Sequence, residues 1–344
     1  MINRLELDQF RGFEKASFDF SPLTIITGNN GAGKTSILEA ISLLSLTTSW
    51  KTEKDTEVIR WEAPFCRVVS GVTELVVQHS PYLKRMKIDG VSKRTTQVIG
   101  LFPTILFQPD DMSLLYGAPT YRRQYLDRVI SQTSQTYTQA IIQLGKVLKQ
   151  RNRLLKNIAE GLSGPSELEF WDEQLAEVQA VIQAGRIGFT EALQGLIPAI
   201  FEQMVPGMGE ISLRYHQSPH GHSHSFLEHL KMNREKEIAS GNSLYGPHRE
   251  DFEVYWGDHP VHESMSRGQA RSLLVAFKMA ELEYMTERTE TRPVLLLDDI
   301  FSELDAERRE RLVTVFGDYQ VIMTTTELGT VEKLLKGEVK VIEL

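Results

Sequence analysis

One cysteine, Cys66, stands among 344 residues, so no internal disulfide can staple the fold. No apolar run approaches the roughly 18 residues that a membrane-spanning helix needs. Met1 to Leu7 alternates as a strand does and lacks the apolar core of a signal peptide. Together these absences predict a cytoplasmic protein without a membrane partner. Positive charge is also short. The net charge of −8 excludes nucleic-acid binding driven by overall charge, and any such binding must use a local patch. What remains is ordinary globular composition, 41% hydrophobic and 24% charged, in a chain long enough for one large domain or two.

Against that background one stretch stands out. Gly28-Asn29-Asn30-Gly31-Ala32-Gly33-Lys34-Thr35 fits the phosphate-binding pattern G-x-x-x-x-G-K-[ST]. Its four defined positions recur by accident in roughly one chain of this length in a hundred. Leu23, Ile25 and Ile26 before it read as a short buried strand, and Ser36 onward opens an apolar-periodic helix. Gly28, Gly31 and Gly33 let the backbone bend so that successive N–H groups face one anion. The helix start adds partial positive charge. Lys34 reaches terminal phosphates, and the Thr35 hydroxyl is placed to ligate Mg²⁺.

Before this loop, residues 1–20 read as two strands about the turn Phe10-Arg11-Gly12-Phe13. After it, Cys66 to Val77 and Lys84 to Ile88 read as strands, with a hairpin signal at Ile88-Asp-Gly-Val. The hairpin is basic, with Lys84, Arg85, Lys87, Lys93 and Arg94 against Asp89 alone. Charge by itself leaves a solvated hairpin and a phosphate-contacting surface equally open. Ile105 to Gln108 reads as a strand stopped by Pro109.

From Thr120 to Lys156 the spacing predicts one amphipathic helix with eight Lys and Arg, among them Arg122, Arg123 and Arg128, against Asp127. A second helix, about Ser166 to Met204, holds seven acids and one base, with a break expected near Gly185 and Gly188. Opposite charge and a short turn predict an antiparallel pair, and the basic face has a bland reading as the partner of the acidic one. The alternating histidines His220, His222 and His224 lack an accompanying carboxylate or thiol set, so they read as part of a loop.

Farther on, Pro293 to Asp298 is an apolar strand that ends in Asp298 and Asp299. In a chain with a phosphate loop, such a strand is the other half of an ATPase site. Asp298 would hold Mg²⁺ through its coordinated water, and Asp299 would orient or deprotonate an attacking water. Ser266-Arg267-Gly268-Gln269 opens another helix and forms a second anion site. One nucleotide needs only one such site from one chain. A two-fold dimer would use both, the loop of one subunit and Ser266 of the other.

The phosphate loop, Ser266-Arg-Gly-Gln and Leu297-Asp-Asp-Ile-Phe-Ser-Glu-Leu-Asp305 together resemble the ATP-binding cassette heads of the SMC/Rad50/RecF group. Within that group the match is to the RecF family. Pro109-Asp-Asp-Met-Ser-Leu-Leu-Tyr-Gly-Ala-Pro-Thr-Tyr-Arg-Arg-Gln-Tyr-Leu-Asp127 and Tyr245-Gly-Pro-His-Arg-Glu-Asp251 are similar to blocks of that family. The resemblance implies an α/β fold, an ABC-ATPase head with a mixed β-sheet and P-loop core, into which an α-helical arm is inserted. Residues 1–119 and 209–344 would form the ATPase lobe and 120–208 the arm.

The resemblance further implies a recombinational-repair ATPase. It would bind ATP and DNA, form an ATP-dependent homodimer at gaps or junctions, and help load RecA with RecO and RecR. By position, Asn29 to Ser36 would cradle phosphates, Gln108 would sense Mg²⁺ and the γ-phosphate, and Arg11 would approach the nucleotide. Ser266 to Gln269 and Asp305 would act across the dimer. The basic hairpin, helped by Arg122, Arg123 and Arg128, becomes the candidate DNA surface. One departure bears on rate. Related cassettes often carry a histidine after the last core strand, where this chain has Thr324-Thr325-Thr326, which implies slow hydrolysis. The alternatives are an SMC- or Rad50-like head, which would need a far longer coiled-coil insertion, and a DNA scaffold that binds ATP without turnover.

Overall fold

Wholly apolar strands belong at the centre of a parallel sheet, where both faces are covered. In the computed structural model, which describes residues 1–218, 223–314, 316–335 and 338–344, that is where they lie. The strands are β1 (Arg4–Phe10), β2 (Phe13–Asp19), β3 (Leu23–Thr27), β4 (Phe65–Ser70), β5 (Thr73–Gln78), β6 (Leu83–Ile88), β7 (Val91–Lys93) and β8 (Thr104–Phe107). They continue with β9 (Ile211–His216), β10 (Asp251–Trp256), β11 (His259–Pro260), β12 (Val294–Asp298), β13 (Val321–Thr325) and β14 (Lys340–Glu343). The longer helices are α1 (Lys34–Leu46), α2 (Pro119–Thr133), α3 (Gln135–Ala159), α4 (Leu168–Met204), α5 (Arg267–Arg288) and α6 (Ala306–Thr314).

The chain divides into two units, residues 1–112 with 271–344, and residues 113–270. The boundaries expected at 119/120 and 208/209 therefore fall at 112/113 and 270/271. The second unit is larger than a helical arm alone because β9, β10 and β11 form their own antiparallel sheet there.

In the first unit a parallel sheet runs in the order β14-β3-β13-β12-β8. A separate antiparallel sheet runs β2-β1-β4-β5-β6-β7. Helix α1 packs against both sheets. It is apolar nearly all round, with Ile37, Leu38, Ile41, Leu43 and Leu44 fully buried, as a helix covered on both sides must be. Cys66 to Val77, expected as one strand, is the β4–β5 hairpin. Gly71 and Val72 form its two-residue loop, and Gly71 supplies the positive φ of 54° that such a turn demands. The buried positions change from even (Cys66, Val68) to odd (Thr73, Leu75, Val77) across the turn.

In the second unit the helix expected over residues 120–156 is two. Ser134 breaks it with an extended φ of −144°, and its hydroxyl caps α3 by accepting the Tyr137 N–H at 3.2 Å. The break expected near Gly185 does not occur, and α4 is continuous over 37 residues. Gly185 serves packing instead, since a Cβ there would stand 2.6 Å from Cδ2 of Tyr137. The Tyr137 hydroxyl then reaches Asp127 at 2.5 Å and accepts from Arg186 Nε at 3.1 Å.

Two buried arginines of this unit are fully bonded. All three nitrogens of Arg151, which is 0% exposed, donate: to Asp172 at 2.9 Å, Ser243 at 2.8 Å and Glu237 at 2.5 Å. Arg186 is bonded in the same complete way, to Asp127 at 2.9 Å and the Pro247 carbonyl at 2.6 Å as well as to Tyr137. His220 and His222 lie outside the described residues, as does the side chain of His224. The backbone at 224 is helical rather than loop.

Candidate nucleotide site

Parallel strands bring their carboxyl ends to one edge, and loops there form a crevice. Strand register places Ile26, Thr324 and Asp298 side by side, and Gln108 follows Phe107, the partner of Leu297. The phosphate-loop pattern after β3, the two acids after β12, Gln108 after β8 and the threonines of β13 therefore share one edge of the parallel sheet.

The loop is tightly specified. Gly28 has φ 147°, and a Cβ there would meet the Leu344 carbonyl oxygen at 2.7 Å. Gly33 has φ 103° and faces the Phe13 ring, whose Cζ would be 2.7 Å from an added Cβ. Both positions demand glycine on two counts, backbone conformation and space. Helix α1 starts at Lys34, directly after the loop. Lys34 is 8% exposed, and its ammonium donates to the Gly28 and Asn29 carbonyls at 2.7 and 3.0 Å.

Thr35 donates its hydroxyl to Asp298 Oδ1 at 2.8 Å, a bond between residues 263 positions apart. The same carboxylate oxygen accepts the Thr324 hydroxyl at 2.8 Å. Thr324 in turn accepts the Asp299 N–H at 2.9 Å. Asp299 sits in the left-handed region at φ 52°, and its buried Oδ1 lacks a partner among the described residues. Burial first, and then the neighbouring charge of Asp298, raise the Asp299 carboxyl above the usual aspartate range, with Lys34 opposing them. A strained, more basic carboxylate with an unused oxygen is suited to accept a proton.

Three residues at this edge were not singled out from the sequence. Thr324, read there only as a missing histidine, ties the two acids together. Glu39 is fully buried on α1 and holds Arg11 at 2.9 and 2.5 Å. Lys278, in an apolar stretch of α5, donates to the Leu106 carbonyl at 2.7 Å and pairs with Asp111 at 3.2 Å. Asp111 also accepts the Gln108 N–H at 3.1 Å, so α5 steadies the Gln108 turn. The only signal for Glu39 and Lys278 was a charge inside an apolar helix run.

Arg11, expected near the nucleotide, places its guanidinium on Glu39 and on the Glu57 carbonyl at 2.7 Å, which ties it to α1. Ser266 and Arg267 are exposed at the start of α5. The Gln269 side chain accepts from the Ser266 N–H at 2.9 Å and the Ser266 hydroxyl at 2.8 Å, so these two side chains close the start of α5 while Ser266 stays exposed. Asp305 caps α6, accepting the Arg308 N–H at 3.0 Å.

The basic candidates separate sharply. Arg122 makes a two-pronged pair with Asp251 at 2.8 and 2.6 Å and is 9% exposed, so it is a structural residue and not a phosphate contact. Arg123 is half-buried and donates to the Glu250 carbonyl at 3.1 Å. Arg128 lies over the Tyr125 ring. Lys84 pairs with Asp55 at 2.9 Å and Lys87 with Glu74 at 3.1 Å. Arg85, Lys93 and Arg94 are exposed, with no ion pair among the described residues.

Loop, helix and strand-end acids on a parallel sheet, with a separate antiparallel sheet and an inserted second unit, define an ATPase head of the ATP-binding cassette type. Comparison supports that class. Residues 4–162 match a family profile described as an AAA domain. An Smc head bound to the C-winged helix domain of ScpA has the same fold, with a TM-score of 0.52 at 18% identity. The chain is 37% identical to the DNA replication and repair protein RecF of Moorella thermoacetica, over 95% of this chain and 90% of that one. It is 33% identical to RecF of Bacillus subtilis, over 96% and 94%. A structure of the recombination mediator protein RecF with ATP superposes with a TM-score of 0.86 at 29% identity, covering 94% of this chain and 91% of that one. The chain belongs to the RecF family.

Proposed function

We propose that this protein binds ATP and DNA in recombinational repair. It forms an ATP-dependent homodimer on DNA at gaps or junctions, hydrolyses ATP slowly under DNA stimulation, and helps load RecA with RecO and RecR in the cytoplasm. The observation that carries the reading is the bond from Thr35 to Asp298, which joins the phosphate-loop pattern to the strand-end acid at one sheet edge. A relative solved with ATP at 29% identity supports the same site.

The backbone N–H groups of Asn29 to Ser36 bind phosphate oxygens, and Lys34 exchanges two neutral carbonyls for a terminal phosphate. Mg²⁺ fits the donor set, since the Thr35 hydroxyl and the Asp298 carboxylate are adjacent hard oxygens and Gln108 adds a third. It would neutralise charge on the transferred phosphate. Among the described residues no cluster of three or more His, Cys, Asp or Glu could hold a metal, which suits an ion held largely by substrate phosphates and water. Asp299 accepts the attacking water's proton. Thr324 is engaged with both acids and offers no free base, which accounts for slow turnover.

Ser266 to Gln269 of one subunit complete the site of the other, with Asp305 in the same contact. An exposed Ser266 hydroxyl at a helix start supports that role. Arg85, Lys93 and Arg94 contact DNA phosphate. Lys34→Met should abolish ATP binding in titration calorimetry, because the phosphates lose the loop's one cation. Equal affinity in mutant and wild type would refute the assignment.

A further inference from the structure

Helix α3 contains no Asp or Glu in 25 residues and five cations. Arg151 is buried and neutralised by Asp172 and Glu237. The other four, Lys146, Lys149, Arg153 and Lys156, are exposed and form no ion pair among the described residues. Their spacing of three and four residues sets them on one face of the helix. The bland reading, in which the basic helix simply faces its acidic partner, accounts for Arg151 alone. On α4 the acids Glu169, Glu173 and Glu177 are exposed as well. The hairpin thus has a basic outer face on one helix and an acidic outer face on the other.

We propose that the Lys146–Lys149–Arg153–Lys156 stripe is a second nucleic-acid contact, which binds the phosphate backbone of duplex DNA. This rests on the DNA-binding reading above and adds a surface to it. The stripe is about 15 Å long at 1.5 Å per residue. Duplex DNA presents roughly nine phosphate charges over that length, one per ~1.7 Å. Chemistry favours a duplex over other polyanions. Single strands are held by stacking on aromatic side chains, and the exposed residues of α3 are Gln, Thr, Gly, the terminal Ala159 and its cations. A protein interface needs an apolar centre, and this helix exposes no large apolar side chain. The acidic face of α4 repels the backbone and restricts the approach to the α3 side.

The test uses the full chain and a labelled blunt duplex, with fluorescence anisotropy over a salt series. The variant K146Q/K149Q/R153Q/K156Q keeps helix propensity and removes four charges. Each neutralised phosphate contributes about −0.9 to the slope of log affinity against log salt. With all four charges removed, the drop in affinity between about 50 and 200 mM salt should shrink by roughly 100-fold. The pair K149Q/R153Q should give about half the change in slope, and unchanged thermal melting confirms the fold. E169Q/E173Q/E177Q should leave the slope as it was. A wild-type slope in the quadruple variant, with the slope lowered in R85Q/K93Q/R94Q, overturns this proposal and leaves the DNA-binding reading intact. No salt-sensitive binding by the wild type overturns both. A single strand bound with the same loss as the duplex overturns the preference for duplex.

Discussion

Two regions of this protein bury charge, and they do it differently. In the second unit, Arg151 and Arg186 have every nitrogen bonded, and their acids Asp172, Glu237 and Asp127 are bonded in return. At the edge of the parallel sheet, Lys34 rests on two neutral carbonyls and one oxygen of Asp299 lacks a partner among the described residues. A saturated charge network holds a shape, because removing any member strands another. A charge held in place with capacity to spare can take a ligand or a proton. Between these two clusters, satisfaction rather than burial separates the structural charges from the chemical ones.

The comparison can be broken most sharply at Asp299. Asp299→Asn should lower ATP turnover by roughly 10²–10⁴-fold, the range of a general base, with ATP affinity retained. The pH dependence has a definite sign. Asp299 works only when ionised, so turnover falls as pH falls through its raised pKa. The acid limb should lie above the ordinary aspartate range and be absent from the residual rate of the variant. A limb at the ordinary position would show that burial and Asp298 do not perturb the group.

The saturated region predicts a stability effect and no chemistry. Arg151→Leu strands Glu237, which is 0% exposed, and should cost about 3–5 kcal/mol in urea unfolding. Arg234 still pairs with Asp172 at 3.0 Å, so Glu237 is the carboxylate left without a counter-ion, keeping only the Leu244 N–H at 2.8 Å. Arg151→Leu with Glu237→Leu should recover part of the loss. Gly185→Ala comes next. The added methyl presses on Tyr137 and should cost about 1–3 kcal/mol, less up to ~1 kcal/mol of gained helix propensity. A stabilised variant would mean that Tyr137 yields freely.

Legibility in the sequence followed the range of each interaction. The phosphate loop and the carboxylate strand were readable because local composition dictates them: glycines for positive φ, an unbroken apolar run for a central strand. Their meeting through Thr35 and Asp298 needed only the inference that both halves serve one site. The Gly71 turn was hidden among the valines on both sides of it, and the Ser134 break because helical spacing continues across it. Gly185 misled because glycine weakens a helix by propensity, while here it admits the Tyr137 ring. The roles of Arg11, Arg122 and Lys278 were unreadable, since Glu39, Asp251 and Asp111 lie 28, 129 and 167 positions away, contacts that no periodicity encodes. Charge counts found the basic surfaces but could not say which cations were already paired.

The smallest expected effect separates the two kinds of charge most finely. Thr324 touches both acids, and it is a positioning residue rather than a catalytic one. Its hydroxyl donates to Asp298 and accepts from the Asp299 N–H, so it sets the distance between the two acids and supports Asp299 in its left-handed conformation. Thr324→Val keeps the shape and removes the hydroxyl. Asp298 then retains only the Thr35 bond, and the Asp299 N–H loses its acceptor, at about 1–2 kcal/mol. That corresponds to roughly a 10-fold fall in kcat, since 1.36 kcal/mol is one decade. ATP affinity should change little, because the phosphate loop is untouched. Thr324→Ser should restore the rate, as it restores the hydroxyl. A purely structural role would lower the melting temperature in the valine variant and leave the kcat of the folded fraction unchanged, and that result would return Thr324 to the class of Arg151.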